Sequence, residues 1–422
     1  MIKRLKKEKL FFLLFYLLPI TFILGAAVVE FIFIILAVSL LFLYRKKAFI
    51  NENKKFIYFF LAFYFYLNFN SFFSENNFVS FKSSVPYFRF LLIVLFISYF
   101  MEQNLKILDK KKNILIFIVC ILFLDSSIQY IYGKNILGLP IIDVGTYRIS
   151  SFFGSELILG SYITRILPIL LSLIFLSKDL NKENYFDIKI SLICLFSIII
   201  TLYSGERVAV FQVVLISLFT IFFLNDKTLL KKIFVIIILA SSILILVSDN
   251  KIKTRLINNT ILSFKEIDKH ANFETKILLF SQVHHSHILS GYRMFKDSPV
   301  IGHGLKSFKL LCNDEKYRIN TFSCSTHPHN NFILFLSEIG LIGLIFYFAS
   351  LFYFLKNFIK DLFNLNKPFF KSKQCMAFSI LFYYIPIPSG SFFNNYMSYQ
   401  FYFLITFYLL FLNLSKKPLK NL

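Results

Sequence analysis

The run from Phe332 to Leu355, FILFLSEIGLIGLIFYFASLFYFL, carries a single charged side chain, Glu338. An apolar stretch of this length matches the hydrocarbon core of a bilayer, ~30 Å, at the rise of an α-helix. In lipid every backbone amide must be satisfied within the segment, so the run reads as a transmembrane helix. Working outward, apolar runs bounded by charges predict further spans at 10–24, 27–44, 56–69, 85–101, 114–132 and 158–176. Others follow at 189–203, 208–224, 233–248, 376–388 and 396–414. The fold class expected is therefore an all-α polytopic membrane protein of about 12 helices. Composition agrees: 57% hydrophobic against 16% charged residues in 422 excludes a large soluble domain.

The net charge of +23 at a pI near 9.6 falls in the range of nucleic-acid-binding proteins, but its placement argues otherwise. Lys3, Arg4, Lys6, Lys7, Lys9, Arg45–Lys47, Lys54, Lys55, Lys106 and Lys110–Lys112 fall in alternate short segments. Lys178, Lys182, Lys227, Lys231, Lys232, Lys356, Lys360, Lys367, Lys371, Lys373, Lys416, Lys417 and Lys420 continue the series. The intervening short loops carry only Lys82, Lys134, Arg148 and Arg207. The positive-inside rule then predicts an inner-membrane protein with both termini cytoplasmic and no nucleic-acid partner. The basic start of the first span is read as an uncleaved helix, since no small-residue cleavage site follows it. With no Trp and 58 Phe, the composition resembles the bias of an AT-rich genome, and Tyr is expected to form the interfacial belt.

One long loop, 249–331, separates membrane helices 1–9 (1–248) from helices 10–12 (332–422) and is predicted to face the periplasm. It holds all seven histidines: His270, His284, His285, His287, His303, His327 and His329. Exclusion of His from lipid accounts for part of this bias; a concentration of near-neutral proton carriers also invites a chemical reading. Residues 255–311 mix apolar and charged residues at helical spacing, predicting two or more short amphipathic helices on the membrane face. Cys312 and Cys324 are a possible disulfide in an oxidising compartment, where closing the loop would contribute roughly 3 kcal/mol.

His329, in Thr326-His327-Pro328-His329-Asn330-Asn331, precedes a span, so it should sit at the amino end of a helix. The helix dipole disfavours imidazolium there, leaving a neutral ring able to act as a general base. An interfacial capping histidine is the alternative, and His327 is a rival for the role. Arg207 reads as either a phosphate ligand or a snorkelling anchor, and Arg293 as either a phosphate ligand or a solvated charge. Arg148, Arg165 and Glu338 join them as ionisable groups in or near the outer ends of spans. His284, His285 and His287 resemble a metal cluster, but no Cys or carboxylate completes a zinc pattern, so no metal is expected.

His329-Asn330, nine residues, then Gly340-Leu341-Ile342-Gly343 resembles the His-Asn-x9-Gly-x-x-Gly signature of the bacterial O-antigen ligase and O-antigen polymerase family. Ser204-Gly205-Glu206-Arg207 resembles that family's short external turn ending in Arg. Arg293-Met294-Phe295 with Pro299-Val300-Ile301-Gly302-His303-Gly304-Leu305 resembles its periplasmic Arg helix and Gly-x-Gly turn. The motifs cover roughly 200–345; Glu206 and Phe211 depart from the residues usual there.

The resemblance implies a GT-C-like, metal-independent glycosyltransferase of lipopolysaccharide biosynthesis that uses no cofactor. It would move a glycan from undecaprenyl pyrophosphate to a lipid A core sugar or, in a polymerase, to another lipid-linked glycan. His329 would be the base, and Arg207 and Arg293 would bind the pyrophosphate. Arg148, Arg165, His327, Asn330 and Glu338 would be further donor or acceptor contacts. A flippase or other transporter is disfavoured because the candidate groups gather at the outer surface and not at the midplane.

Overall fold

Gly25, at φ +115°, breaks an otherwise continuous apolar sequence into two helices, α1 (Ile2–Leu24) and α2 (Ala26–Tyr44). In this computed structural model the described residues are 2–44, 53–143, 147–181, 186–224, 253–258, 261–262 and 281–417. The predicted span 233–248 and His270 lie outside them. The chain continues with α3 (Lys54–Phe72), α4 (Asn77–Ser84), α5 (Arg89–Gln103) and α6 (Lys106–Tyr132). A two-stranded hairpin, Ile142–Asp143 with Tyr147–Arg148, precedes α7 (Leu159–Asn181), α8 (Phe186–Ser204) and α9 (Arg207–Phe219). Then come α10 (Gln282–Asp297), α11 (Ser307–Leu311), α12 (Asn331–Leu362), α13 (Phe370–Leu381) and α14 (Asn395–Leu414).

Six helices among the described residues are long and apolar enough to cross a membrane, which makes the chain a polytopic membrane protein. They run over 77–103, 106–132, 159–180, 207–224, 331–362 and 395–414; shorter apolar helices occupy 11–24, 26–39 and 188–204. α14 lies between α5 and α13, α7 packs on α8 and α13, and α6 packs on α8.

Several expectations change in detail. The predicted span 376–388 ends earlier, because Pro386 and Pro388 cannot continue a helix; residues 385–394 form an extended loop instead. Lys110–Lys112, expected in a loop, lie inside α6. Lys111 is buried there, donating to the carbonyl of Phe15. That carbonyl is free because its helical partner position is Pro19, which has no N–H to give. Tyrosine is not confined to an interfacial belt either. Tyr162, Tyr399 and Tyr408 are among the largest fully buried side chains. The buried hydroxyl of Tyr162 donates to Pro19 O at 2.9 Å.

The element that positions the loop 281–330 is α12, which is bent at Gly340 (φ +62°, ψ −164°). The turn 299–304 supplies the partners that the broken helix lacks. Leu341 N donates to Pro299 O (2.9 Å) and Ile342 N to Val300 O (3.2 Å). In return His303 N donates to Ser337 O (3.1 Å) and Gly304 N to Glu338 O (2.8 Å). Asn70 and Tyr66 of α3 seal the junction through Ile301 O and Ile339 O. Only glycine fits: a Cβ on Gly340 would lie 2.4 Å from Val300 O, and one on Gly302 would lie 2.5 Å from the Glu338 carbonyl carbon.

Candidate active site

Asn330 caps α12, its side chain accepting from Ile333 N (3.1 Å) while its amide donates to Pro386 O (3.1 Å). Asn331 accepts from Phe392 N (3.1 Å), so the loop 385–394 is clasped to the start of α12. His329, immediately before the cap, adopts a left-handed conformation (φ +53°), and its carbonyl accepts from Ser389 N (2.9 Å). The dipole of α12 and burial act in the same direction on its ring, and its pKa is pushed below the ordinary histidine value mainly by burial.

His329 stands in a group of four imidazoles. The ring centroids of His327, His287 and His284 lie 4.0, 5.3 and 5.6 Å from it. Burial pushes His284 and His287 down to about 4, with the His329 charge adding to it, and His327 down to about 3 for the same reasons. At neutral pH all four are uncharged. Among the described residues no group of three or more His, Cys, Asp and Glu side chains is arranged to hold a metal ion.

The ring nitrogens distinguish the two rivals. His327 Nε2 faces Ser389 O (3.2 Å), an acceptor only, so that nitrogen carries the proton. Its Nδ1 is then the acceptor for Thr326 Oγ1 (2.9 Å). Both positions of His327 are thus committed. His329 Nε2 instead lies 3.2 Å from Ser325 Oγ, a hydroxyl that can either give or take a hydrogen bond.

Helix α10 brings His284 and His287 to this group. Ser281 caps it, Gly291 lets Ile333 of α12 approach closely, and His285–Ile288 are buried. The helix is therefore docked on the amino-terminal half of α12, with two histidines one turn apart turned toward His329. The i, i+3 spacing of His284 and His287, which in sequence resembles a metal pattern, instead places both rings beside His329. Cys312 and Cys324 are joined by a disulfide beside this helix, where Met294, Phe308 and Tyr317 form a small separate core.

Arg207 opens α9, and its charge acts on His284, placing the guanidinium on the same side of the group. The preceding Glu206 has a structural task. Its carboxylate accepts from Gly160 N (2.8 Å) and Ser161 Oγ (2.6 Å), capping α7, and stands 3.8 Å from Arg148. Arg148 is fixed by Ser204 O (3.1 Å) and Leu157 O (2.9 Å), so it borders the same turn as Arg207. Arg165 reaches Ser161 O (2.7 Å) and Tyr383 OH (3.2 Å), and lines a cleft with Asn331 and Ser389 beneath the histidines. Arg293 reaches back into its own loop, donating to Arg318 O (2.9 Å). Glu338 is buried, facing Lys306 and the amides of Lys306 and Phe308 at the start of α11.

The arrangement offers a neutral imidazole with a negotiable hydrogen bond, next to fixed guanidinium groups at the end of a membrane bundle. It can take a proton from a hydroxyl and compensate an anion. No curated protein matches the chain. Residues 192–348, from α8 through the first half of α12, match the family described as O-Antigen ligase. Residues 192–348 thus carry the signature of the O-Antigen ligase domain family, which covers ligases and polymerases that transfer lipid-linked glycans.

Proposed function

We propose that this protein moves a glycan from undecaprenyl pyrophosphate to a sugar hydroxyl of the lipid A core, on the periplasmic side of the bacterial inner membrane. The observation that carries the proposal is His329: an uncharged imidazole at the amino end of a membrane helix, in the histidine group that Arg207 faces. His329 takes the proton of the acceptor hydroxyl as its oxygen attacks the anomeric carbon. The new bond to that carbon forms as the bond to the bridging phosphate oxygen breaks, and the electron pair leaves with undecaprenyl pyrophosphate.

Arg207, with Arg148 beside it and Arg293 from the loop, compensates the charge that grows on the leaving pyrophosphate. A guanidinium suits this because its planar fork matches phosphate oxygens and it never deprotonates. His327, Asn330, Arg165 and Glu338 hold the loop, cleft and helix start that frame the reacting groups. The disulfide between Cys312 and Cys324 ties down the loop on which α10 and α11 sit.

The test is a deletion strain complemented with the parent or with His329→Ala. The deletion should lose long-chain lipopolysaccharide and accumulate lipid-linked polymer. The parent should restore ligation, with activity falling on acidification at a lower pH than an ordinary histidine would give, because burial lowers the pKa of His329. His329→Ala should reach the membrane yet restore less than about one hundredth of the transfer, in line with general-base catalysis. Lipopolysaccharide capped with single repeats in the deletion strain would instead mark a polymerase.

A further inference from the structure

A second cationic site lies on the outer end of the bundle, beside the histidine group and apart from Arg207. A pocket of about 530 Å³, open to solvent, is lined by Lys82, Arg89, Lys306, Glu30 and Asn395, among others. We infer that this pocket binds a phosphate group of the acceptor lipid, holding the acceptor while the donor pyrophosphate occupies the Arg207 side. The inference rests on the transferase reading above and names the substrate that the pocket serves.

The pocket is built from three elements locked to one another. Leu305 N donates to Ser80 Oγ (3.0 Å), and Gly304 is packed so closely on Ser74 that a Cβ would lie 2.2 Å from its hydroxyl. The turn bearing Lys306 is thereby fixed to α4, which bears Lys82 in its last turn. Arg89 follows one short turn later, at the head of α5. Its guanidinium donates to Tyr399 OH (3.0 Å), Pro86 O (3.1 Å) and Asn395 Oδ1 (2.9 Å), and lies over the Phe90 ring at 4.9 Å.

The charges do not cancel. Glu30 stands 3.4 Å from Arg89 and accepts from Asn395 (3.0 Å), so that pair is partly matched. Lys306 is held in a left-handed conformation (φ +66°), and among the described residues its ammonium makes no hydrogen bond or ion pair. Burial lowers its pKa, so a charged Lys306 lacks a full complement of partners; Glu338 offsets this only in part. Lys82 is exposed and similarly unmatched among the described residues. A half-buried cation facing an open pocket, with an exposed second lysine at the rim, is suited to a phosphate.

Position ties the pocket to the reaction. The charge of Lys306 acts on His327, whose ring lies 4.0 Å from that of His329, so the pocket is on the same side of the molecule as the base. A phosphate on the acceptor would orient its hydroxyl toward His329 without contacting the donor.

The test uses the full-length protein in phosphatidylethanolamine nanodiscs, comparing the parent with Lys82→Gln/Lys306→Gln. The acceptor probes are lipopolysaccharide lacking O-antigen, the same molecule stripped of phosphates, and an undecaprenyl-pyrophosphate-linked single repeat. The KM for phosphorylated lipopolysaccharide should rise at least about tenfold in the double variant, with the donor KM within twofold. Stripping the phosphates should raise the parent's KM by a similar factor and leave the variant's unchanged, and Lys82→Arg/Lys306→Arg should recover the parent's value. Direct binding of the acceptor without donor should weaken in parallel, a readout that survives even if His329 proves not to be the base. A larger loss for the lipid-linked repeat would assign the same phosphate site to a polymerase acceptor. An equal rise in donor KM, no change on removing phosphates, or equal competition by phosphatidylglycerol would overturn the inference.

Discussion

At one end of the bundle each of several buried or half-buried lysines meets a carboxylate: Lys373 on Asp361 (2.6 Å), Lys112 on Asp109 (3.6 Å) and Lys417 on Glu102. At the end carrying His329 the exposed Lys316 meets Asp297, but the arginines rest on carbonyls and hydroxyls instead. Arg148 is held by Ser204 O and Leu157 O, Arg165 by Ser161 O and Tyr383 OH, and Arg293 by Arg318 O. Both ends are basic in sequence, yet only the second is arranged for an anion. A carboxylate neutralises the cation it holds, whereas a carbonyl orients it and leaves its net charge in place. Glu206 and Glu30 are partial exceptions, and each is itself engaged elsewhere, on the amides of α7 and on Asn395.

The contrast can be broken most severely at Arg207. Arg207→Lys keeps the charge and loses the fork, and should reduce transfer by about 10²-fold or more, as loss of one transition-state donor does elsewhere. Activity equal to the parent would mean that a point charge suffices and that the arginine geometry is incidental. Gly340→Ala should come next. It adds a Cβ 2.4 Å from Val300 O at a residue with φ +62°, costing roughly 1–3 kcal/mol. A lower melting temperature in detergent, together with reduced transfer, would show that the outer end depends on the bend of α12.

The smallest effect is expected at the other end. Lys417→Gln removes a partly exposed ion pair, while Asn413 still serves Glu102 at 3.3 Å. It should cost less than about 1 kcal/mol of stability and leave transfer unchanged in a membrane assay. A large loss of activity there would dissolve the distinction between the two ends.

Much of the architecture was legible because lipid imposes a simple requirement on sequence: long apolar runs and charges pushed to their ends. The capped start of α12 was equally legible, since Pro328, His329 and Asn330 are local signals for a helix amino terminus. What the sequence hid was non-local. Nothing in 332–355 announces that the helix is interrupted, because Gly340 alone fits an unbroken span, and its partners lie some 40 residues upstream in 299–304. Lys111 shows the same limit. Its acceptor is a carbonyl released by Pro19, in a helix far away along the chain. His284 and His287 carried a visible i, i+3 pattern, but only docking of α10 on α12 reveals that their neighbour is His329. Glu206, read as a departure from the family pattern, gains its reason only from the amides of Gly160 and Ser161.

The exchange between 299–304 and the bent helix also bears on how the chain is made. A span emerging into the membrane ordinarily completes its own hydrogen bonds before meeting any neighbour. Here α12 cannot, because the partners of Ser337 O, Glu338 O, Leu341 N and Ile342 N arrive from a loop synthesised before it. The outer loop and the helix therefore mature as one unit, and insertion of α12 is completed by a segment that never enters the bilayer as a span.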